Sequence, residues 1–208
     1  MKNKTVYVVD DDNAVRTALT RSIGLRGYQI HVFATAEEFL EKVEVQYPCC
    51  LVLDVRMPGM NGLELQERIL QSDYLIPIIF ITGHGDIPMS VRAIQKGAVD
   101  FLEKPYLVDT LLSRIETALH LCDEWFKDAE ARRGLLARYQ SLTTRELDVF
   151  RLLVAGAADA SNKEIARKLA ISHRTVDDHR ARIMSKMRAR SLTELVEMAK
   201  TCQLHDSS

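Results

Sequence analysis

The sequence predicts an α/β domain followed by an all-α domain. Over roughly the first 120 residues, five short apolar runs alternate with segments whose apolar residues recur at helical spacing. Strands that alternate with helices form a parallel, doubly wound sheet. Beyond these residues the patterns are helical only, and 208 residues are enough for two small domains. At this size the first domain is expected to be flavodoxin-like, with strand order 2-1-3-4-5.

The five predicted strands are rich in β-branched or aromatic residues and end at turn or acidic residues. They are TVYVVD, IHVF, CCLVLD, IPIIFIT and AVDFLEKP. Asp12 or Asn13 is expected to cap the first helix, which Gly27 closes. The apolar positions of the first, third and fourth helices include Val15, Ala18 and Leu19, then Leu63, Leu65, Ile69 and Leu70, then Val91 and Ile94.

A longer helix follows the fifth strand. Asp109 is expected to cap it, and its apolar residues keep three-four spacing as far as Leu136, except where Arg133 interrupts the pattern. Its first three turns should pack on the sheet. The part beyond Glu124 lies too far from the sheet for this, so residues 125–140 are expected to form a helical linker. Whether the linker pairs with a second copy stays open, and Gly134 would weaken it.

Residues 141–208 predict four helices with short joins. A capping box from Thr143 to Glu146 opens the first helix, and Gly156 ends it. The next are NKEIARKLA, then a helix capped by Ser172, then SLTELVEMAK. This pattern fits a compact domain that contains a helix-turn-helix.

Composition indicates a soluble globular protein, with 47% hydrophobic and 27% charged residues. The four cysteines form neither a metal-binding pair nor a disulfide framework, which favours a reducing compartment; they are Cys49, Cys50, Cys122 and Cys202. No apolar run approaches the roughly 18 residues that span a bilayer. We therefore expect a cytoplasmic protein without a membrane partner. The first part is faintly acidic and the last part faintly basic, which suggests two different tasks.

Polar residues end four of the predicted strands. Asp10 and Asp11 end the first, Asp54 the third, Thr82 the fourth and Lys104 the fifth. In the order 2-1-3-4-5 these strands are neighbours, so the side chains should converge at the carboxyl edge of the sheet, where ligands collect. Clustered carboxylates require a shared cation, and oxygen ligands suit Mg²⁺. Such an Asp can accept a phosphoryl group, whose oxygens a metal, a lysine and a threonine would stabilise. The alternative is that the acids only cap helices.

The motifs together resemble a two-component response regulator of the NarL/FixJ type. The resemblance is carried by VVDDDNAVR, LVLDVRMPGMNGLEL, IIFITGHGDIPMSVRAIQKGAVDFLEKP and the tail segments NKEIA, RTVDDHR and SLTELV. It covers almost the whole chain. It implies a CheY-like receiver domain over residues 1–124 and a LuxR-type helix-turn-helix domain over residues 141–208, joined by the linker 125–140.

The resemblance also implies the roles of the site residues. Asp54 would accept a phosphoryl group from a sensor histidine kinase, and Mg²⁺ would be held by Asp10, Asp11, Asp54 and the main-chain carbonyl of Arg56. Thr82 and Phe101 would form a switch pair, and Lys104 would contact the phosphoryl group beside a cis bond to Pro105. Residues 87–105 would form the face of a phosphorylation-dependent homodimer. Two further partners would be an operator sequence in double-stranded DNA and, for the control of transcription, RNA polymerase.

The stretch ISHRTVDDHRARIMSKMR predicts the recognition helix. With Val176, Ile183 and Met187 on the inner side, the outer side carries Arg174, Asp177, Asp178, Ala181, Arg182 and Ser185. The expected DNA contacts are Lys163, Arg174, Thr175, Asp178, His179, Arg182 and Lys186. For Asp177 we favour a helix-dipole role and an ion pair with Arg174 or Arg182. Asp178 stays open between base recognition and a role within the helix.

Other functions remain open at this point. An aspartate-based phosphohydrolase also combines Asp, Thr and Lys on a parallel sheet, but its nucleophile lies on the first strand in a DxD pattern, whereas the first strand here gives DDDN. We therefore expect a regulator and not an enzyme. A DNA-binding protein whose first domain serves only for interaction is the third possibility. The segment GAADASN before Lys163 is longer than the turn usual in the family, which affects the predicted docking geometry.

Overall fold

Alternating strands and helices build the amino-terminal part of the chain. The computed structural model describes residues 4–83, 87–156 and 161–201, and the chain divides after Lys127 into two compact units. The first unit contains β1 (Thr5–Val9), α1 (Asn13–Gly24), β2 (Gln29–Phe33), α2 (Ala36–Lys42), β3 (Cys49–Asp54), α3 (Gly62–Leu70), β4 (Ile78–Thr82), α4 (Ile87–Gln95), β5 (Asp100–Glu103) and the first turns of α5 (Val108–Gln140).

The strands form one parallel sheet in the order β2-β1-β3-β4-β5, which confirms the predicted topology. Because successive side chains point to opposite faces, each buried strand feeds two cores. Tyr7 and Leu53 pack with α2 and α3 on one face. Val8 and Val52 pack with α1 and α5 on the other. The sheet is therefore covered on both sides, and its carboxyl edge is left for polar side chains.

The second unit is helical within the described residues. It contains the end of α5, then α6 (Thr144–Ala155), α7 (Asn162–Leu169), α8 (His173–Met187) and α9 (Leu192–Thr201). Val149, Phe150 and Ile183 lie at the centre of its core. Leu135 and Tyr139 of α5 are buried in the same core, so the last turns of this helix pack with the second unit.

Most of the predicted helix ends are confirmed. Asp12 caps α1, Thr143 and Glu146 form the capping box of α6, and Ser172 caps α8. Gly156 is the C-cap of α6. The bond between Lys104 and Pro105 is cis.

Three expectations about helices were wrong. First, α1 ends at Gly24, and Gly27 occupies a left-handed turn after it with φ +80°. Second, α5 begins at Val108, so Asp109 lies inside the first turn and pairs with Arg26 at 3.0 Å. Third, Leu136 does not continue the apolar face of α5 beyond the interruption at Arg133, because Leu136 is exposed and its neighbour Leu135 is buried.

Two segments of interest are outside the described residues. They are residues 157–160 of the predicted insertion and residues 202–208, which include Cys202. Among the helices that the structure does describe, none combines the length and the apolar character needed to span a bilayer.

Candidate functional site

An acidic cluster lies at the carboxyl edge of the sheet. Asp10 and Asp11 follow β1, and Asp54 ends β3, which pairs directly with β1. One carboxylate oxygen from each of the three lies within 4.8 Å of those of the other two. Asp10 is fully buried and Asp54 is 7% exposed, whereas Asp11 is open to solvent. The predicted convergence of these side chains is therefore present in the structure.

Lys104 provides the positive charge within this cluster. Its Nζ atom lies 2.9 Å from Oδ2 of Asp10 and 3.4 Å from Oδ2 of Asp54. Burial acts to lower the pKa of Lys104, but its bond to Asp10 and the charges of both carboxylates outweigh burial and raise it. Burial raises the pKa of Asp54, with Lys104 opposing and Asp10 adding to the rise. One ammonium therefore faces three carboxylates, and the cluster keeps an excess of negative charge.

One buried oxygen of Asp54 tests whether the cluster fits a cation. Within residues 4–83, 87–156 and 161–201, no donor reaches Oδ1 of Asp54 in hydrogen-bonding geometry. A buried carboxylate oxygen without a partner is costly, because it has lost water and gained nothing in exchange. A hard divalent cation would satisfy this atom and reduce the repulsion among the three acids. The residues present therefore fit Mg²⁺.

Thr82 and Phe101 occupy the neighbouring strand ends. Thr82 is fully buried at the end of β4, and its carbonyl accepts a hydrogen bond from the N–H of Lys104 at 2.7 Å. Phe101 of β5 is partly buried, and its ring centroid lies 6.2 Å from that of Phe80. The two predicted switch residues are thus placed on adjacent strands, with Phe101 packed beside the core.

The loop after Asp54 is held by contacts that the sequence did not predict. A Cβ atom on Gly62 would lie 2.3 Å from the carbonyl oxygen of Asp54, so only glycine allows α3 to start this close to β3. The N–H of Gly62 donates to the carbonyl of Val55 at 3.0 Å. Glu37 of α2 accepts the N–H of Met60 at 2.8 Å. The loop that carries Arg56, whose side chain is exposed, is therefore fixed at both ends.

Helix α8 presents the predicted polar face to solvent. Val176, Ile183 and Met187 are buried in the core of the second unit. All six residues predicted to face outward are exposed: Arg174, Asp177, Asp178, Ala181, Arg182 and Ser185. Lys163 of α7 is exposed as well, whereas Thr175 and His179 are partly buried.

The two neighbouring acids of α8 differ in their contacts. Asp177 accepts a hydrogen bond from the side-chain amide of Asn162, and its Oδ2 lies 3.4 Å from Nδ1 of His173. The expected ion pair of Asp177 with an arginine of α8 is therefore not formed. Among the residues that the structure describes, none forms a hydrogen bond or an ion pair with the carboxylate of Asp178. Sequence periodicity could not distinguish the two acids, because both lie on the outer face.

Lys186 of α8 differs from the exposed cations Arg174 and Arg182. Its Nζ atom donates to Oε2 of the buried Glu146 at 2.6 Å and to the carbonyl of Ser141 at 3.0 Å. Glu146 also accepts the N–H of Thr143 at 2.8 Å in the capping box. The ammonium of Lys186, one of the predicted DNA contacts, therefore has two partners within its own domain.

Comparisons with known proteins agree with this arrangement. Residues 6–116 match the family model described as response regulator receiver domain. Residues 140–199 match the model described as bacterial regulatory proteins, luxR family.

Full-length relatives match as well. The chain is 45% identical to the response regulator protein TmoT of Ectopseudomonas mendocina, over 99% of this chain and 91% of that protein. It is 42% identical to the transcriptional regulatory protein FixJ of Bradyrhizobium diazoefficiens, over 93% of both. The solved structure of the response regulator StyR superposes with a TM-score of 0.82 at 44% identity, covering 95% of this chain and 98% of that one. The chain therefore belongs to the two-component response regulators that combine a receiver domain with a LuxR-type DNA-binding domain.

Proposed function

We propose that a sensor histidine kinase phosphorylates this regulator on Asp54, and that the phosphorylated chain dimerises and binds a DNA operator to control transcription. The observation that carries the proposal is the carboxylate of Asp54 at the open edge of the sheet. There it lies beside two further acids and 3.4 Å from the ammonium of Lys104. This arrangement suits a nucleophile towards phosphorus better than it suits a helix cap, since Asn61 already caps α3, the helix that follows Asp54.

In this proposal Asp10, Asp11, Asp54 and the main-chain carbonyl of Arg56 hold Mg²⁺. The unpartnered Oδ1 of Asp54 supports this assignment. When bound, the metal would neutralise charge on the transferring phosphoryl oxygens. Because Asp10 is fully buried and already contacts Lys104, it fixes one side of the metal site in place.

The chain's own residues perform the transfer. A carboxylate oxygen of Asp54 attacks the phosphorus of a phosphohistidine, so that an O–P bond forms while the N–P bond to the kinase breaks. The ammonium of Lys104 and the hydroxyl of Thr82 stabilise the phosphoryl oxygens. The main-chain N–H of Lys104 donates to the main-chain carbonyl of Thr82, which holds the ends of β4 and β5 side by side.

Phosphorylation would then change the surface formed by residues 87–105. Thr82 turns towards the phosphoryl group, and Phe101 moves into the space that this leaves. On α4, Val91 and Ile94 are 46% and 45% exposed, which provides apolar area for a second copy of the chain. A homodimer would place two α8 helices on a two-fold related operator.

The proposed DNA surface consists of α8 and the start of α7. Arg174, Arg182 and Lys163 are exposed and available to phosphates. Thr175, Asp178 and His179 complete the predicted set, and we exclude Lys186 because Glu146 and Ser141 engage it. The relative FixJ is named a transcriptional regulatory protein. Transcriptional control at DNA would place this chain in the cytoplasm, with RNA polymerase as a further partner.

We also propose limits for the two domains and the linker, as predicted from the sequence. The receiver would occupy residues 1–124, the linker 125–140 and the effector 141–208. The burial of Leu135 and Tyr139 in the core of the second unit supports one refinement. The last turns of the linker helix act as part of the effector.

The test is incubation of the purified chain with acetyl phosphate and Mg²⁺, followed by mass analysis. We expect a gain of one phosphoryl group that maps to Asp54 and is lost in Asp54→Asn. Asp73→Asn, at an exposed position outside the cluster, serves as the matched control and should still be modified. An unmodified Asp54 would refute the mechanism. Release of phosphate from a free phosphomonoester would favour a phosphohydrolase. If Asp54→Asn leaves DNA binding unchanged, the receiver would serve only as an interaction module.

A further inference from the structure

The adjacent carboxylates of α8, Asp177 and Asp178, differ in their hydrogen-bond partners. Asp177 is held by Asn162 from the neighbouring helix and by His173 one turn earlier. Asn162 also accepts a hydrogen bond from Arg180, so it fixes α8 against α7 through both residues. Each carboxylate oxygen of Asp177 therefore already has a partner within its own domain. Asp178 is exposed and forms no hydrogen bond or ion pair with the described residues.

Asp178 lies between two arginines on one line of the helix surface. Arg174, Asp178 and Arg182 are spaced four residues apart, which places them on the same face. Opposite charges at this spacing commonly pair, yet neither arginine contacts Asp178 in the part of the chain that the structure describes. All three side chains are exposed, so each is available to an external group.

Helix stability does not explain the acid at this position. Ser172 is the N-cap, so Asp178 is the sixth residue of α8, and the first turn contains no acid. The favourable effect of the helix dipole on a carboxylate falls off within that first turn. A carboxylate on a surface that approaches phosphates also weakens binding in general. Asp178 thus needs a hydrogen-bond donor on the DNA itself to be useful in the complex.

The major groove offers few donors. They are the N4 amino group of cytosine and the N6 amino group of adenine. The adenine amino group stands between two acceptors, its own N7 and O4 of the paired thymine. The cytosine amino group has an acceptor on one side only, O6 of the paired guanine, so a carboxylate is repelled less there. A carboxylate in the amino-terminal turns of a recognition helix is therefore suited to cytosine.

We propose that Asp178 determines operator specificity by accepting a hydrogen bond from the N4 amino group of one cytosine in each half-site, while Asp177 takes no part in base recognition. This inference rests on the proposed DNA-binding function. It adds the base that one residue selects and distinguishes two acids that are equivalent in sequence.

The first test selects bound duplexes from a randomised pool, with the phosphorylated full-length protein. We expect the wild type to retain cytosine at one position of each half-site. Asp178→Asn should replace that preference by adenine, because an amide can bond both N6 and N7. Asp178→Ala should lose preference at this position alone. Asp177→Ala is the matched control and should leave the selected base unchanged.

The second test uses a chemical probe on the selected duplex. In N4-methylcytosine a methyl group replaces the donor in the groove while the base pair is kept. We expect this change to weaken wild-type binding by about 5- to 100-fold, the effect of one base contact. Binding of Asp178→Ala should change by less than about twofold, because that variant has no acceptor to lose.

Outcomes against the proposal are distinguishable. If Asp178→Ala keeps the wild-type preference for cytosine, or tightens binding to every duplex alike, the carboxylate does not select a base. The inference about Asp178 then fails, while the proposed DNA-binding function stands. If the phosphorylated wild type enriches no duplex, the proposed DNA-binding function fails and the inference fails with it.

Discussion

Replacing Lys186 with methionine should destabilise the second unit without removing a DNA contact. The ammonium of Lys186 neutralises the carboxylate of Glu146, whose side chain is only 3% exposed. Without it, Glu146 keeps only its hydrogen bonds with Thr143, and a largely buried negative charge is left unpaired. Methionine preserves much of the aliphatic stem, so the change is mainly the loss of the charge and its two hydrogen bonds.

The size of the effect follows from burial. Breaking a fully buried ion pair by removing one partner costs about 3–5 kcal/mol. The side chain of Lys186 is 35% exposed, so water screens part of the interaction. We therefore expect a loss of about 2–3 kcal/mol in the free energy of unfolding. The neutral Glu146→Gln should recover about 1 kcal/mol or more in the double variant, because no buried charge remains unpaired.

Urea unfolding at neutral pH, followed by circular dichroism, measures these differences. Arg182→Met on the same helix is the matched control, because the exposed side chain of Arg182 contacts no described residue. It should change stability by less than about 0.5 kcal/mol but reduce the salt dependence of DNA binding. Lys186→Met should show the reverse. A loss below about 0.5 kcal/mol in Lys186→Met, with weaker DNA binding, would refute the structural role.

Three further predictions concern other parts of the chain. Gly62→Ala should shift the backbone of Asp54, lower the free energy of unfolding by about 1–3 kcal/mol and slow phosphorylation. Gly134→Ala is the control, because a Cβ there has no neighbour within 4 Å, and it should stabilise its helix by about 0.5–1 kcal/mol. Lys104→Met should slow phosphoryl transfer from acetyl phosphate by about 10²- to 10³-fold, measured by mass analysis over time. The free energy of unfolding should fall as the pH is lowered below about 4.3, because Glu146 has a lower pKa in the folded chain than in the unfolded chain. Burial raises the pKa of Glu146, but its hydrogen bonds to Lys186 and Thr143 outweigh burial and lower it.

Each of these has a result that would contradict it. Equal phosphorylation rates in Gly62→Ala and Gly134→Ala would show that the close approach to Asp54 is unimportant. Wild-type transfer rates in Lys104→Met would remove this residue from the mechanism. For the acid effect, Glu146→Gln should be less sensitive to acid than the wild type, and identical pH profiles of the two in urea unfolding would contradict the assignment.

The sheet and its acidic edge could be predicted because the reasoning depended on strand order alone. Parallel strands that alternate with helices leave few topologies, and residues at the ends of neighbouring strands must then converge. Asp10, Asp54 and Lys104 follow this rule. The Nζ atom of Lys104 lies 2.9 Å from the carboxylate of Asp10 and 3.4 Å from that of Asp54. Helix ends were predictable where a side chain caps its own helix, as Thr143 and Ser172 do.

Contacts between distant segments could not be predicted. The pairing of Lys186 with Glu146 spans 40 residues, and the bond from Asn162 to Asp177 joins two helices whose relative position no local pattern encodes. The break of apolar spacing at Leu136 has a similar cause. The end of α5 packs on the second unit, whose core buries a different face of the helix.

Measuring molecular size and DNA affinity together, before and after phosphorylation, tests the central claim most directly. With acetyl phosphate and Mg²⁺, the wild type should change from monomer to dimer in sedimentation velocity and gain affinity for a two-fold related duplex. Asp54→Asn should do neither under the same conditions. A wild type that is fully phosphorylated on Asp54, yet remains monomeric with unchanged DNA affinity, would contradict the account.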